Sequence, residues 1–285
     1  MKKRKLKKSV KIIFTFLFLV IASSVFLLLR HLDRQPDLPQ EPEATEIPVP
    51  KKMSEKACAV IYEFIPEEEP PEYYFDDERI QTLRNKFTED REINNDVKAI
   101  LVFQSGLIEQ PVLRGTNNDF YLYHDWTNHQ YRSWGSIMME CRDVFPEEEQ
   151  NTAVYGHYVY PIRTPDRTVM FTPLALLMNQ ENYEPNKYLA MVTDKEIRYY
   201  EIASVVNIAL VDHDYLPSDM EYDISNFDEA YFENYMRRVE DREYYDTGID
   251  IAYTDHMLTL QTCIENYPDN REIVLCRELE RIIFE

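Results

Sequence analysis

From residue 97 onward the chain is a succession of short strand-like runs, and few folds accept such a pattern. "VKAILVF" (97–103) and "LIEQPVL" (107–113) flank the turn residues Ser105 and Gly106. "FYLYH" (120–124), "SIMME" (136–140) and "TAVYGH" (152–157) follow. "KYLAMVT" and "IRYYEIASVVNIALV" read as a hairpin, and "MLTLQT" (257–262) with "EIVLCREL" (272–279) as a last pair. Two helical stretches interrupt: in 170–178 Phe171, Leu174 and Met178 share a face, and in 227–239 Phe227, Tyr231, Tyr235 and Val239 do. Ahead of the strands, Ile80, Leu83 and Phe87 fall at i, i+3 and i+7, which predicts a helix over 77–93 capped by Asp76 or Asp77. Many short strands with a few helices and no internal repeat predict a mostly β fold, a closed or nearly closed barrel with helical additions.

The 285 residues are 44% apolar, with 21 Tyr and 14 Phe, enough for a sizeable core. Only five glycines occur, and no Gly-rich phosphate-binding pattern is present. The first 11 residues carry seven Lys/Arg and no acid; Ile12 to Leu29 are 18 uncharged, mostly apolar residues. As a helix that run spans about 27 Å, close to a bilayer core of about 30 Å. No small-residue cleavage site follows it, so the reading is an uncleaved signal-anchor: 1–11 a basic cytoplasmic tail, 12–29 transmembrane, the rest extracellular. Residues 30–76, Pro-rich and acidic, read as a tether, and 77–285 as the folded domain. With the seven basic residues set aside, 24 Lys/Arg face 52 Asp/Glu, a balance of −28. That excludes a nucleic-acid partner, which needs a basic footprint. Cys58, Cys141, Cys263 and Cys276 are widely spaced with no C-x-x-C, so a zinc ribbon or redox dithiol is not expected. The even count leaves disulfides open, and free thiols are the preferred reading.

"LTLQTC" (258–263) ends an uncharged strand on a cysteine. Cys263 is either a small core residue or a nucleophile on a rigid mount, and a nucleophilic thiol needs help in losing its proton. Of six histidines, His31 lies in the tether, His124 and His129 in an aromatic polar loop, His213 in an acidic loop, and His256 at the start of the final strand pair. His157 alone repeats the arrangement of Cys263, closing the apolar strand "TAVYGH". Two strand ends of one barrel can face one site. Acyl transfer also builds charge on a carbonyl oxygen. Arg271, after the turn-rich "IENYPDN", begins the strand that returns past Cys263 and can bring a guanidinium there.

"TLQTC" (259–263) resembles the Thr-Leu-any-Thr-Cys signature of sortases. "AVYGHYVYPIRTPDRTVMFTPL" (153–174) is similar to their Tyr-Gly-His segment and the Met-Phe-any-any-Leu helix start after it. "QPVLRGTNNDFYLYHD" and "WGSIMMECRD" resemble segments of class B sortases, as do the helix at 227–239 and, as an N-terminal extension, the helix at 77–93. The likeness covers about 95–284. Gln261 stands where a Ser is frequent, Tyr158 for Asn, Met138 for Phe and Glu140 for Asp. The resemblance implies an eight-stranded sortase barrel and a Gram-positive cysteine transpeptidase. Cys263 would cleave a C-terminal sorting signal after Thr through a thioester. His157 would act as acid and base, and Arg271 would hold the oxyanion. Asn118, Leu122, Tyr155 and Gln261 would line the substrate groove. The implied partners are surface proteins bearing the signal and a peptidoglycan precursor or cross-bridge amine. The family needs no metal or organic cofactor. Three alternatives stay open: a pilin-polymerising enzyme using a pilin lysine, a cysteine hydrolase, and a non-enzymatic surface assembly module on the same barrel.

Overall fold

The computed structural model describes residues 71–209, 224–264 and 267–284. Eight strands close into a barrel: β1 (Val97–Phe103), β2 (Glu109–Leu113), β3 (Met138–Met139), β4 (Asn151–Tyr155), β5 (Tyr188–Val192), β6 (Glu196–Ala209), β7 (Met257–Ile264) and β8 (Tyr267–Ile283). Their order around the barrel is β1-β2-β3-β4-β7-β8-β6-β5, with β5 back on β1. Two contacts, β2–β3 and β4–β7, are parallel; the others are antiparallel. The eight-stranded barrel expected from the sequence is therefore present.

Side chains alternate across each strand, and the alternation builds three apolar layers. Leu101, Val112, Val154, Met191, Val205, Leu260 and Val274 belong to the layer that fills the barrel, which draws on seven of the strands at these positions alone. Outside, α1 (Asp77–Ile93) lays Leu83 and Phe87 on Ile100, Val102, Ala190 and Val192. Asp76 caps that helix, its carboxylate accepting from Arg79 N at 2.7 Å. A short α2 (Tyr183–Asn186) leads into β5. On the other side α3 (Glu229–Glu240), capped by Asp228, covers Val206, Ile208, Met257, Ile273 and Leu275 with Phe232, Tyr235 and Val239. Phe232 is buried on that stripe with Tyr235 and Val239, and its neighbour Tyr231, expected on it, lies at the margin.

Three local readings of the sequence change. Residues 120–124 alternate like a strand yet form turns, with a single bridge from His124 to Tyr131. The Asn117 side chain accepts from the backbone of Asp119 and Phe120, both at 2.9 Å, and this local bonding competes with a ladder. The segment at 170–178 is a 3-10 helix over Thr172–Met178 with Pro173 near its start. Tyr73, Tyr74 and Phe75, read as the end of the tether, pack on Tyr199 of β6 with ring centroids 5.1–6.0 Å apart.

Among the described residues no helix is long and apolar enough to cross a membrane. This corrects the expected single-pass location, and the signal-anchor and the membrane as a partner are withdrawn with it. The run 12–29 behind that expectation lies outside the described residues, as do the tail 1–11, most of the tether, Cys58, His31 and His213. Cys141, Cys263 and Cys276 are unbridged.

Candidate active site

Two strand registers build the site. β4 and β7 run parallel with Tyr155 opposite Gln261, and Gly156 N donates to Gln261 O at 3.1 Å. Two residues further along each strand come His157 and Cys263. β8 returns antiparallel and sets Arg271 directly opposite Cys263. The register thus carries all three expected residues to one end of the barrel. Cys263 shares the parity of Met257, which packs on the outer side beneath α3, so its thiol belongs to the outer face and is half-buried.

His157 is held from two directions. Its Nε2 lies 3.0 Å from Leu122 O. A carbonyl only accepts, so Nε2 carries the proton and Nδ1 is the nitrogen that exchanges one. Burial lowers the imidazole pKa below its usual range. The Leu122 carbonyl works against that, and the charges of Arg163 and Arg271 add to the lowering. The Tyr123 ring stands 5.9 Å away, centroid to centroid. On the backbone side, His157 O accepts from Phe171 N at 3.1 Å.

Two glycines let this packing close. A Cβ on Gly156 would stand 2.5 Å from Phe171 Cγ, and the Phe171 ring is wholly buried. Gly135, at φ +50, backs onto the Leu122 carbonyl itself, where a Cβ would come within 2.3 Å of the oxygen. Gly156→Ala is expected to cost about 1–3 kcal/mol through overpacking. It should also lower kcat, because the displaced backbone carries His157. Thermal unfolding and steady-state rates on the variant check both.

The expected groove residues have other partners in this structure. Asn118 Nδ2 and the Tyr155 hydroxyl both donate to Glu140 Oε2, at 2.5 and 2.9 Å, and Cys141 N donates to Asn118 Oδ1 at 2.8 Å. Burial alone would raise the Glu140 pKa, but bonds from Arg142, Tyr155 and Asn118 overcome it and hold the carboxyl at about 2. Glu140 thereby ties the 118–122 segment to β4, and with it the Leu122 carbonyl that orients His157. Leu122 contributes to the site through that carbonyl, and Gln261 contributes its own to Gly156. Neither backbone role has a side-chain signature. Glu140 was visible in the sequence only as a departure from a family position.

The remaining described histidines are engaged elsewhere. His124 stacks on Phe120 at 4.2 Å, His129 meets Asn94 at 3.1 Å, and His256 Nδ1 bonds Glu149 O at 2.7 Å. Tyr160 reaches across the mouth to Ile264 O at 3.4 Å, fixing the loop after His157 to the end of the cysteine strand. Among the described residues no group of three or more His, Cys, Asp or Glu could hold a metal ion.

No family model matches the chain. Sortase B of Listeria monocytogenes is 24% identical over 185 residues, 64% of this chain and 68% of the relative. Sortase B of Staphylococcus aureus is 24% identical over 201 residues, 70% and 77%. The crystal structure of Clostridium perfringens sortase B superposes with a TM-score of 0.57 at 26% identity, over 68% of this chain and 99% of that one. A Staphylococcus aureus sortase B–substrate complex shares the fold, with a TM-score of 0.58 at 21% identity, over 71% and 92%. The likeness extends from barrel to sequence and points one way throughout: in both, the chain is similar to the class B sortases.

Proposed function

We propose that this chain is a cysteine transpeptidase that cleaves a C-terminal sorting signal after Thr and joins the released protein to an amine of the cell wall. The observation behind the reading is the register that sets Cys263 opposite Arg271 on β8 and, beside it on the parallel β4 side, brings His157 to the same end. The Cys263 thiolate attacks the Thr carbonyl, and Arg271 balances the charge that develops on its oxygen. His157, protonated on Nδ1, gives that proton to the leaving amine as the C–N bond breaks, and a thioester remains. Neutral again, Nδ1 takes a proton from the incoming amine, which displaces the sulfur and restores the thiolate beside the imidazolium. Nε2 stays on the Leu122 carbonyl through both halves.

The arrangement predicts slow turnover. Attack needs thiolate and imidazolium together, and burial lowers the imidazole from its usual 6.5, so the imidazolium is scarce near neutrality. Near neutrality only a minority of molecules carries both charges, and the rate is bell-shaped in pH. Arg271→Lys is expected to reduce kcat/KM about 10²–10³-fold, since a point charge does not reproduce the planar fork of donors. The reading is tested by incubating the chain with sorting-signal peptides, with and without an amine acceptor, and weighing the products. Ligated product that rises with amine supports it. Free acid at an unchanged rate in both cases would make the chain a hydrolase, and no cleavage would leave an assembly module.

A further inference from the structure

Glu272 is a buried carboxyl that the proposed reaction does not use. It follows Arg271 on β8, so the two project to opposite faces. Ile273 and Leu275 lie under α3, whereas Val274 and Cys276 fill the barrel; Glu272 shares the parity of the second pair and is 0% exposed. Across β7 it faces Thr262, also buried, and across β6 it faces Asn207. Among the described residues neither carboxyl oxygen of Glu272 has a hydrogen-bond partner, and neither has the Thr262 hydroxyl. The next cross-strand pair toward the mouth is Cys263 and Arg271. An unpartnered acid therefore stands inside the barrel wall, directly behind the thiol and the guanidinium.

The surroundings decide its charge. Asn207 is engaged with Asn270, whose Nδ2 donates to Asn207 Oδ1 at 2.9 Å. Tyr244 and Tyr245, from the segment after α3, have phenols raised to about 12, first by burial and further by the Glu272 charge in both cases. Burial is the whole cause of the shift at Glu272 itself, with no cation offsetting it, and raises the carboxyl to about 8. At neutral pH it is the uncharged acid.

We propose that Glu272 is a positioning residue whose neutral form keeps negative charge away from the back of the Cys263–Arg271 pair, and whose ionisation shuts the site. The inference rests on the transpeptidase reading above. An anion one strand-thickness behind the sulfur opposes formation of the thiolate. That effect lowers the rate as Glu272 loses its proton.

The test compares full-length wild type with Glu272→Gln, which keeps the shape and cannot ionise. Rates of peptide-to-amine transfer are measured from pH 6 to 10. The ratio of E272Q to wild-type kcat/KM is expected to rise about tenfold between pH 7 and pH 9, as the wild-type carboxyl passes from mostly neutral to mostly ionised. Profiles that superimpose after scaling overturn the proposal, because a merely structural role changes stability and not the shape of the pH profile. If E272Q does not fold, Glu272→Met removes the same charge, and the same rise is required of it. A second readout is independent of turnover. The alkylation rate of Cys263 by iodoacetamide, followed on its own peptide by mass, should titrate at lower pH in the variant than in wild type. Equal midpoints overturn the inference even if no peptide is turned over, and an absence of turnover beside shifted midpoints places the failure on the transpeptidase reading instead.

Discussion

Cys263→Ala should abolish peptide cleavage and transfer and leave the fold intact. The side chain is half-buried on the outer face of β7, away from the layer that fills the barrel, and it forms no disulfide. Replacing a thiol by a methyl there creates no large cavity, so the change in unfolding free energy should stay within about 1 kcal/mol. Among the described residues the reaction has no other candidate nucleophile of the same kind. Cys276 is fully buried in the barrel, and burial pushes its thiol far up. Cys141 is half-buried beside Glu140, and burial together with the Glu140 contact raises its thiol too. Thermal unfolding and a product assay on the one variant separate the two meanings of a strand that ends on a cysteine. A lowered melting temperature with cleavage preserved would make Cys263 a packing residue.

His157→Ala is expected to lower kcat/KM by about 10²–10⁴-fold, the usual worth of a positioned acid–base group. Its signature is in the pH profile. Burial and the nearby arginines lower the imidazole pKa, so the acid limb of the wild-type profile lies below the ordinary histidine range. The variant should lose that limb, since no imidazole is left to titrate. A rate loss with the limb still in place would assign the proton transfer to another group.

Much of the barrel was legible because alternation and β-branched residues mark its strands directly. Val102, Val112, Val154 and Val274 are where the pattern put strands, and Leu83 and Phe87 are where it put a helix face. The placement of Cys263, His157 and Arg271 at one end of the barrel was legible for a related reason: Cys263 lies near the end of β7, His157 just past the end of β4, Arg271 pairs with Cys263 from β8, and the register of paired strands turns those positions into a place in space. What escaped was whatever acts through the backbone or through contacts remote in sequence. The Leu122 carbonyl has no signal of its own, and nothing in "YGH" announces that Gly156 must admit the Phe171 ring. Residues 120–124 misled because aromatic alternation there serves a turn held by Asn117, with Tyr121 buried and its hydroxyl on Asp96 at 2.6 Å. Glu272 was readable in principle. In "REIVLCREL" it alternates with Val274 and Cys276, and an acid at a core position of a strand is a conflict that asks for a reason.

Cys263 is expected to form a thioester with the Thr of a sorting signal. This is tested by mixing the enzyme with a sorting-signal peptide in the absence of any amine, quenching in acid and measuring the intact mass, followed by peptide mapping. The expected result is an adduct equal in mass to the peptide through its Thr, located on Cys263, absent from Cys263→Ala and discharged by an added amine. Cleavage of the peptide with no adduct at any time, or with an adduct on a residue other than Cys263, would contradict it.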